Sequence, residues 1–273
     1  MVKALGIGGF FFRALDPKAL GAWYRDHFDI DIVPNDYDTP SWKQAAGDTV
    51  FAPFAQDTEY FGRPEQQWMI NFRVADIDAA AAELDRAVNE LGLLAGYIGT
   101  DYGFTLDDAR LDDFYRHVVS LDVPLFVHGA TNDGVGPAGD SRLHRFGLDL
   151  IVGYTYEETL AAASFVLGGV FDRHPELDVC ISHGGGAIVF LAQRFDSMAH
   201  YRGQESDFAA ALGKLWFDAH LEPGPARDMV TATVGIERMV YGTNFGGWDT
   251  PASTDAFDAS LTSSADRLLR LDR

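Results

Sequence analysis

Three short apolar segments of this sequence each end in a polar residue, and this pattern limits the fold most strongly. They are VPLFVH at Val123–His128, VCISHGGG at Val179–Gly186 and RMVYGTN at Arg238–Asn244. An apolar run that does not alternate with polar residues is typical of a parallel strand that is buried on both faces. In α/β barrels the carboxyl ends of such strands form the face that carries the chemistry. His128, His183 and Asn244 are therefore predicted to converge on one site, which could hold a metal ion.

His183 has two interpretations when its octapeptide is considered alone. Three glycines follow it, so the backbone can turn tightly and lie close to whatever the imidazole contacts. A functional histidine at a strand end is one interpretation. A core histidine that is hydrogen-bonded by backbone groups in a glycine-rich turn is the other. The two further strand ends favour the functional interpretation.

The segment after residue 76 alternates between helical and strand-like patterns. Strands are predicted at Ala95–Gly99, Pro124–His128, Leu177–His183, Leu215–Ala219 and Met239–Tyr241. Helices are predicted at Ile77–Leu91, Leu111–Ser120, Tyr156–Gly168, Ala187–Arg202, Ala226–Val234 and Ser253–Leu271. This alternation predicts an α/β fold with a parallel sheet and right-handed crossovers. Five strands are fewer than the eight of a closed barrel, so we predict a partial TIM-barrel-like region with two edges to cover.

Several stretches resemble the amidohydrolase-related family, in its aminocarboxymuconate-semialdehyde decarboxylase-like branch, which also contains the resorcylate-type decarboxylases. They are AAAELDRAVNELGL, IGT, LFVH, GGVFDRHPELDVCISHGGGA, FDAH and YGTNFGG, in that order between about Asp78 and Trp248. The resemblance implies a barrel whose first three strands are missing from this chain. It also implies a metal-dependent decarboxylase or hydrolase that acts on a small aromatic or dienoic carboxylate.

The resemblance assigns roles to particular residues. In the family a divalent metal, usually zinc, is bound by a His-x-His pair, a histidine that matches His128 and an aspartate that matches Asn244. His183 matches a residue that acts as acid or base or as a further ligand. Arg194 matches an arginine that grips the substrate carboxylate, across a dimer interface in some members; a surface ion pair is its alternative role. The sequence contains no His-x-His, and an amide oxygen is a weak ligand, so the metal site is predicted to be weakened.

In the N-terminal part, a helix at Lys18–Phe28, capped by Asp16, follows one strand-like run and precedes three more in a βαβββ order. With the stretches LDPKALGAWYRDHF, DTVFAPF, DTEYFGRPEQQWMINFRV and ADIDA, this order resembles a different family over about Leu5–Ala79. It is the vicinal oxygen chelate family, with the glyoxalase and bleomycin-resistance fold. The positions that bind metal in that family are matched by Gly9 and Met69, which are not metal ligands. We therefore predict two domains, an α+β module without a metal site at 1–76 and the partial barrel at 77–273.

Composition narrows the range of partners and compartments. The chain has 41 acidic and 21 basic residues, a formal charge of −20, and this field opposes binding to nucleic acid or to an anionic membrane. The sequence has no apolar run of membrane-spanning length, and its first residues do not read as a signal peptide. The single cysteine, Cys180, is consistent with a reducing cytoplasm.

The sequence thus supports two functions of different classes. The first is a zinc-dependent decarboxylase or hydrolase in which His128, His183 and Asn244 bind the metal and His183 and Arg194 act on the substrate. In this function the chain can form a homodimer. The second is a catalytically inactive, metal-free binding or fusion scaffold that keeps the same pocket without the chemistry.

Overall fold

The computed structural model describes residues 16–31, 42, 77–90, 92–129, 141–203, 205–221, 224–242 and 259–271. The chain divides into two compact units, Met1–Gln56 with Asn71–Ala75, and Asp57–Ile70 with Asp76–Arg273. The strands predicted for the N-terminal module lie outside the described residues. The predicted domain boundary between residues 76 and 77 stays a prediction.

Helix α1, Pro17–Phe28, belongs to the first unit and confirms the predicted helix and its cap. The Asp16 carboxylate accepts hydrogen bonds from the backbone N–H groups of Lys18 and Ala19, at 3.1 and 3.0 Å. Proline stands at the first helical position, where its missing N–H has no intrahelical partner to lose. The helix ends at Asp29, which adopts a left-handed conformation with φ of 53°.

In the described residues of the second unit, a parallel sheet of five strands forms the centre and confirms the predicted α/β class. Its strands are β1 (Gly96–Gly99), β2 (Leu125–His128), β3 (Val179–Ile181), β4 (Trp216–Asp218) and β5 (Met239–Val240). They lie side by side in chain order, and each neighbouring pair is parallel. All five carboxyl ends therefore lie at the same edge, as the strand-end pattern predicted.

Helices follow or precede every strand. They are α2 (Ile77–Asn89), α3 (Asp112–Ser120), α4 (Tyr154–Leu167), α5 (Val170–Arg173), α6 (Ile188–Tyr201), α7 (Phe208–Leu212), α8 (Pro225–Val234) and α9 (Ala259–Leu268). The six predicted helices agree with α2, α3, α4, α6, α8 and α9 to within a few residues, except that residues 253–258 are not described. The short helices α5 and α7 were not predicted. None of the helices in the described part of the chain is both long and apolar enough to cross a membrane.

One face of the sheet packs against the helices and forms the main core. Alternate strand residues point to this face and are fully buried: Leu125 and Val127, Val179 and Ile181, Phe217, and Met239. They pack with Phe114 and Val118 of α3, Phe165 of α4 and Ile188 of α6. The continuous apolar character of the strands therefore reflects burial on both sides of the sheet.

The opposite face of the sheet carries a second, smaller cluster. Cys180, Trp216 and Val240 pack there with Leu268 of α9, and Phe126 lies against them. Arg270, just beyond α9, donates hydrogen bonds to Asp122 at 2.9 Å and Asp178 at 2.7 Å, ahead of β2 and β3. The C-terminal helix is thereby fixed to the amino-terminal edge of the sheet, away from the edge that carries the polar residues.

Replacement of Leu268 by alanine tests this arrangement. Leu268 is fully buried, so its loss should lower the free energy of unfolding by about 2–5 kcal/mol. Leu271 is 55% exposed one turn later, and Leu271→Ala should change stability by no more than about 0.5 kcal/mol. Urea denaturation of both variants measures the difference, and equal values would show that α9 does not fill this cluster.

Candidate metal centre

Polar side chains from three strands meet at the carboxyl edge of the sheet. His128 is the last residue of β2, His183 follows β3 by two residues, and Asp218 ends β4. The imidazole rings of His128 and His183 lie 5.1 Å apart between centroids, and the His220 ring lies 4.8 Å from that of His183. The predicted convergence of the two histidines is therefore observed. Asn244, the third predicted ligand, lies outside the described residues.

Glu158 of α4 joins the two histidines and was not predicted from the sequence. One potential ligand atom each from His128, Glu158 and His183 lies within 4.8 Å of the other two. Oε1 of Glu158 lies 2.6 Å from Nδ1 of His183 and accepts a hydrogen bond from the Gly129 N–H at 3.3 Å. A single carboxylate oxygen therefore contacts the ends of both β2 and β3.

The glycines after His183 allow α4 to approach this closely. His183 itself has a left-handed φ of 49°, and Gly184, Gly185 and Gly186 have φ of 60°, 76° and 64°. A Cβ at Gly186 would overlap the carbonyl oxygen of Thr155, one turn before Glu158 on α4. The turn is further fixed by Thr159, whose Oγ1 accepts a hydrogen bond of 2.8 Å from the Ala187 N–H.

Burial controls the charge of this cluster. The Glu158 side chain is fully buried, and desolvation raises its pKa to about 7 although the His183 imidazole opposes the shift. Burial likewise raises the pKa of Asp218, whose carboxylate accepts hydrogen bonds from the Gly184 and His220 N–H groups. Burial lowers the pKa of His128, which favours the neutral imidazole that a metal requires.

The donor atoms fit a divalent cation. Nδ1 of His128 lies 3.0 Å from the carbonyl oxygen of Gly129, which can only accept, so Nδ1 carries the proton and Nε2 the lone pair. Oε2 of Glu158 is buried and has no hydrogen-bond partner among the residues that the structure describes. Two imidazoles and a carboxylate form a common ligand set for zinc and are also compatible with manganese.

A model of the amidohydrolase family matches residues 61–267, well over half of the chain. The chain belongs to the amidohydrolase family. This confirms the resemblance drawn from the strand-end motifs, whereas the resemblance of residues 1–76 to the vicinal oxygen chelate family stays a prediction.

Two curated amidohydrolase relatives illustrate the similarity. A 2-amino-3-carboxymuconate-6-semialdehyde decarboxylase of Dictyostelium discoideum is 29% identical over 178 residues, which cover 62% of this chain and 47% of the relative. A 2-keto-4-carboxy-3-hexenedioate hydratase of Sphingobium sp. is 28% identical over 179 residues, or 63% of this chain and 50% of the relative. The chain spans about half the length of these relatives.

A solved structure supports the fold. It is 5-carboxyvanillate decarboxylase from Novosphingobium aromaticivorans, complexed with manganese and 4-hydroxy-3-methoxy-5-nitrobenzoic acid. The TM-score is 0.59 at 22% identity, over 74% of this chain and 63% of the other. The fold of this amidohydrolase is thus similar to part of that decarboxylase.

Arg194, the remaining predicted site residue, is exposed on α6. Its contact with a substrate carboxylate stays a prediction. Two tyrosines instead adjoin the cluster of this amidohydrolase: the Tyr154 ring lies 5.0 Å and the Tyr97 ring 6.1 Å from that of His128. Tyr97 is 68% exposed and could present its ring to a ligand.

Replacement of Gly186 by alanine tests the contact between the glycine turn and α4. Both the left-handed backbone, at about 1–2 kcal/mol, and the overlap with Thr155, at about 1–3 kcal/mol, should lower the free energy of unfolding. Gly203 is the matched control, because its φ is 71° and a Cβ there would meet nothing within 4 Å. Chemical denaturation should show a clearly larger loss for Gly186→Ala, and equal losses would contradict the proposed packing.

Proposed function

We propose that this amidohydrolase is a metal-dependent decarboxylase of a small aromatic or dienoic carboxylate. The observation that carries the proposal is the convergence of His128, His183 and Glu158 at the carboxyl edge of a family-typical sheet. The names of a relative and of a solved neighbour, both decarboxylases of carboxylated substrates, support the reaction class. Because the chain covers only about half of its curated relatives, the activity is a proposal for this chain.

His128 and the predicted Asn244 would hold the metal, and His183 would act either as a further ligand or as the acid–base residue. Zinc is the ion that we propose from the resemblance, and manganese is the ion in the solved neighbour. The bound ion would act as a Lewis acid toward the oxygen atoms of the substrate. Without a His-x-His pair in the chain, we expect weaker binding than in a complete barrel.

The side chains around the cluster suit a flat carboxylated substrate. Decarboxylation breaks the bond between the substrate and its carboxylate, releases carbon dioxide and places a proton on the carbon left behind. In its acid–base role, with Nε2 not bound to the metal, the partly exposed His183 imidazole would deliver that proton. Tyr97 and Tyr154 could stack on or border an aromatic ring. Arg194, exposed on α6, would reach a carboxylate in a partner subunit if the chain forms a homodimer.

A hydratase is the second candidate function, because one of the relatives is named as a hydratase of an unsaturated dicarboxylate. The same cluster could serve it, since addition of water to a double bond also needs a proton donor. The reaction product distinguishes the two: carbon dioxide is released in one case and water is added in the other.

For the rest of the chain, we infer that residues 1–76 form a vicinal-oxygen-chelate-like module without metal. The positions that match ligands there are Gly9 and Met69. We also infer a cytoplasmic location from the single cysteine.

Metal analysis with an activity assay tests the proposed function. Purified full-length protein should bind zinc or manganese in stoichiometric amount and release carbon dioxide from 5-carboxyvanillate or a related carboxylate. His128→Gln should lower both metal content and turnover by more than about 10–100-fold, the usual effect of losing even an outer-shell partner. His200→Gln, an exposed change on α6, is the matched control. Full-length protein that binds neither metal supports the inactive scaffold instead.

Replacement of Asn244 by aspartate tests whether the metal site is weakened. A carboxylate is a stronger ligand than an amide oxygen, so Asn244→Asp should raise the affinity for zinc by about tenfold or more. Competition with a chromophoric chelator measures the change. Unchanged affinity would mean that residue 244 does not reach the metal.

A further inference from the structure

We propose that Glu158 is a positioning residue for His183 rather than a metal ligand. This inference rests on the proposed function, because it assigns the way in which that site holds its acid–base histidine. Glu158 carries no motif that marks it in the sequence, and its role follows from where α4 places it.

The side chains of His183 and Glu158 differ in their exposure to solvent. The His183 side chain is 19% exposed, whereas the Glu158 side chain is 0% exposed. Of the two groups, the imidazole is therefore the more accessible to solvent, as a group that reacts with a bound substrate must be.

The hydrogen bonds of Glu158 are directed at the two strand ends. Oε1 contacts Nδ1 of His183 at 2.6 Å and the Gly129 N–H at 3.3 Å. Above its pKa of about 7 the Glu158 carboxylate is ionised and only accepts hydrogen bonds, so this contact keeps the proton of a neutral His183 on Nδ1 and the lone pair on Nε2. Glu158 thereby selects both the orientation and the tautomer of the imidazole.

A rigid support holds the carboxylate in place. Glu158 lies on α4 between Thr155 and Thr159. Gly186 packs against Thr155, and the Thr159 hydroxyl accepts a hydrogen bond from the Ala187 N–H. The helix is thus fixed to the same turn that carries His183. Such a support keeps a catalytic side chain within the narrow range of geometry that proton transfer requires.

The preceding residue, Glu157, provides a matched control within the same helix. It is also buried, at 7% exposure, but its carboxylate accepts a hydrogen bond of 3.2 Å from Thr100 at the end of β1. Replacement of Glu157 therefore also removes a buried carboxylate from α4, but it leaves the hydrogen-bond acceptor of His183 in place.

The test begins with the imidazole nitrogens of the full-length protein, measured by ¹⁵N NMR without metal. The His183 resonances are assigned by their loss in His183→Gln. The spectra are recorded about one pH unit or more above the pKa of Glu158, where its carboxylate is ionised. In the unaltered protein the neutral His183 ring should then carry its proton on Nδ1. Glu158→Leu should convert it to a mixture of tautomers, Glu158→Gln should preserve Nδ1–H because an amide oxygen also accepts, and Glu157→Leu should leave it unchanged. A proton on Nε2 in the unaltered protein would overturn the proposal.

Activity and zinc binding complete the test. Glu158→Leu should lower kcat by about 10–100-fold while KM and zinc affinity change by less than about threefold, the pattern for an outer-shell partner of a reacting group. Glu158→Gln should recover part of kcat, and Glu157→Leu should retain it.

Loss of zinc affinity by about 100-fold or more in Glu158→Leu would identify a ligand and overturn the proposal, as would equal effects of Glu157→Leu and Glu158→Leu. The NMR result decides the question even if no carboxylate is turned over, so failure of the proposed function is distinguishable.

Discussion

The close contact between the glycine turn after β3 and helix α4 is the constraint on which the rest of the site depends. Gly186 lies so near the Thr155 carbonyl that no side chain fits between them. Because the turn and the helix touch directly, the next turn of the helix places Glu158 against His183 and against the N–H of Gly129. The distance between the two histidines is then determined by strand spacing, since β2 and β3 are neighbours in one parallel sheet. A larger residue in the turn would move the helix, and with it the carboxylate.

The sequence was sufficient to predict the features that depend on local patterns. Continuous apolar runs gave the strands, and the residues at their ends gave His128 and His183 before any coordinates. The helices α5 and α7 have only four and five residues, too few for a helical period to emerge. Glu158 could not be predicted because its burial depends on how α4 lies over the sheet, 25 positions before the histidine that it contacts. One signal was present: Glu157 and Glu158 are adjacent acidic residues in a helix that is otherwise apolar toward its C-terminus.

The second face of the sheet explains how a partial barrel can bury the inner side of its strands. In a closed barrel the inward side chains pack against those of the other strands. Here Cys180, Trp216 and Val240 pack with Leu268 of α9 instead. The hydrogen bonds from Arg270 to Asp122 and Asp178 fix the end of that helix at the amino-terminal edge of the sheet. Within a chain of net charge −20, an arginine between two aspartates also removes local repulsion. The helix contacts the amino-terminal edge, so among the described residues its packing role and the candidate chemistry lie at opposite ends of the strands.

Several unfavourable features coincide at the carboxyl edge of the sheet. His183 has a left-handed backbone, which costs a non-glycine residue about 1–3 kcal/mol. Glu158 is fully buried with one oxygen that has no hydrogen-bond partner among the described residues. Such groups destabilise a fold unless they are compensated, and an apolar residue in place of a buried charge is often neutral or stabilising. A site built only for stability would have an apolar residue at position 158 and a relaxed backbone at position 183. The two residues that carry these costs are joined by one hydrogen bond. This indicates that this part of the chain maintains the geometry of the imidazole and not the stability of the sheet.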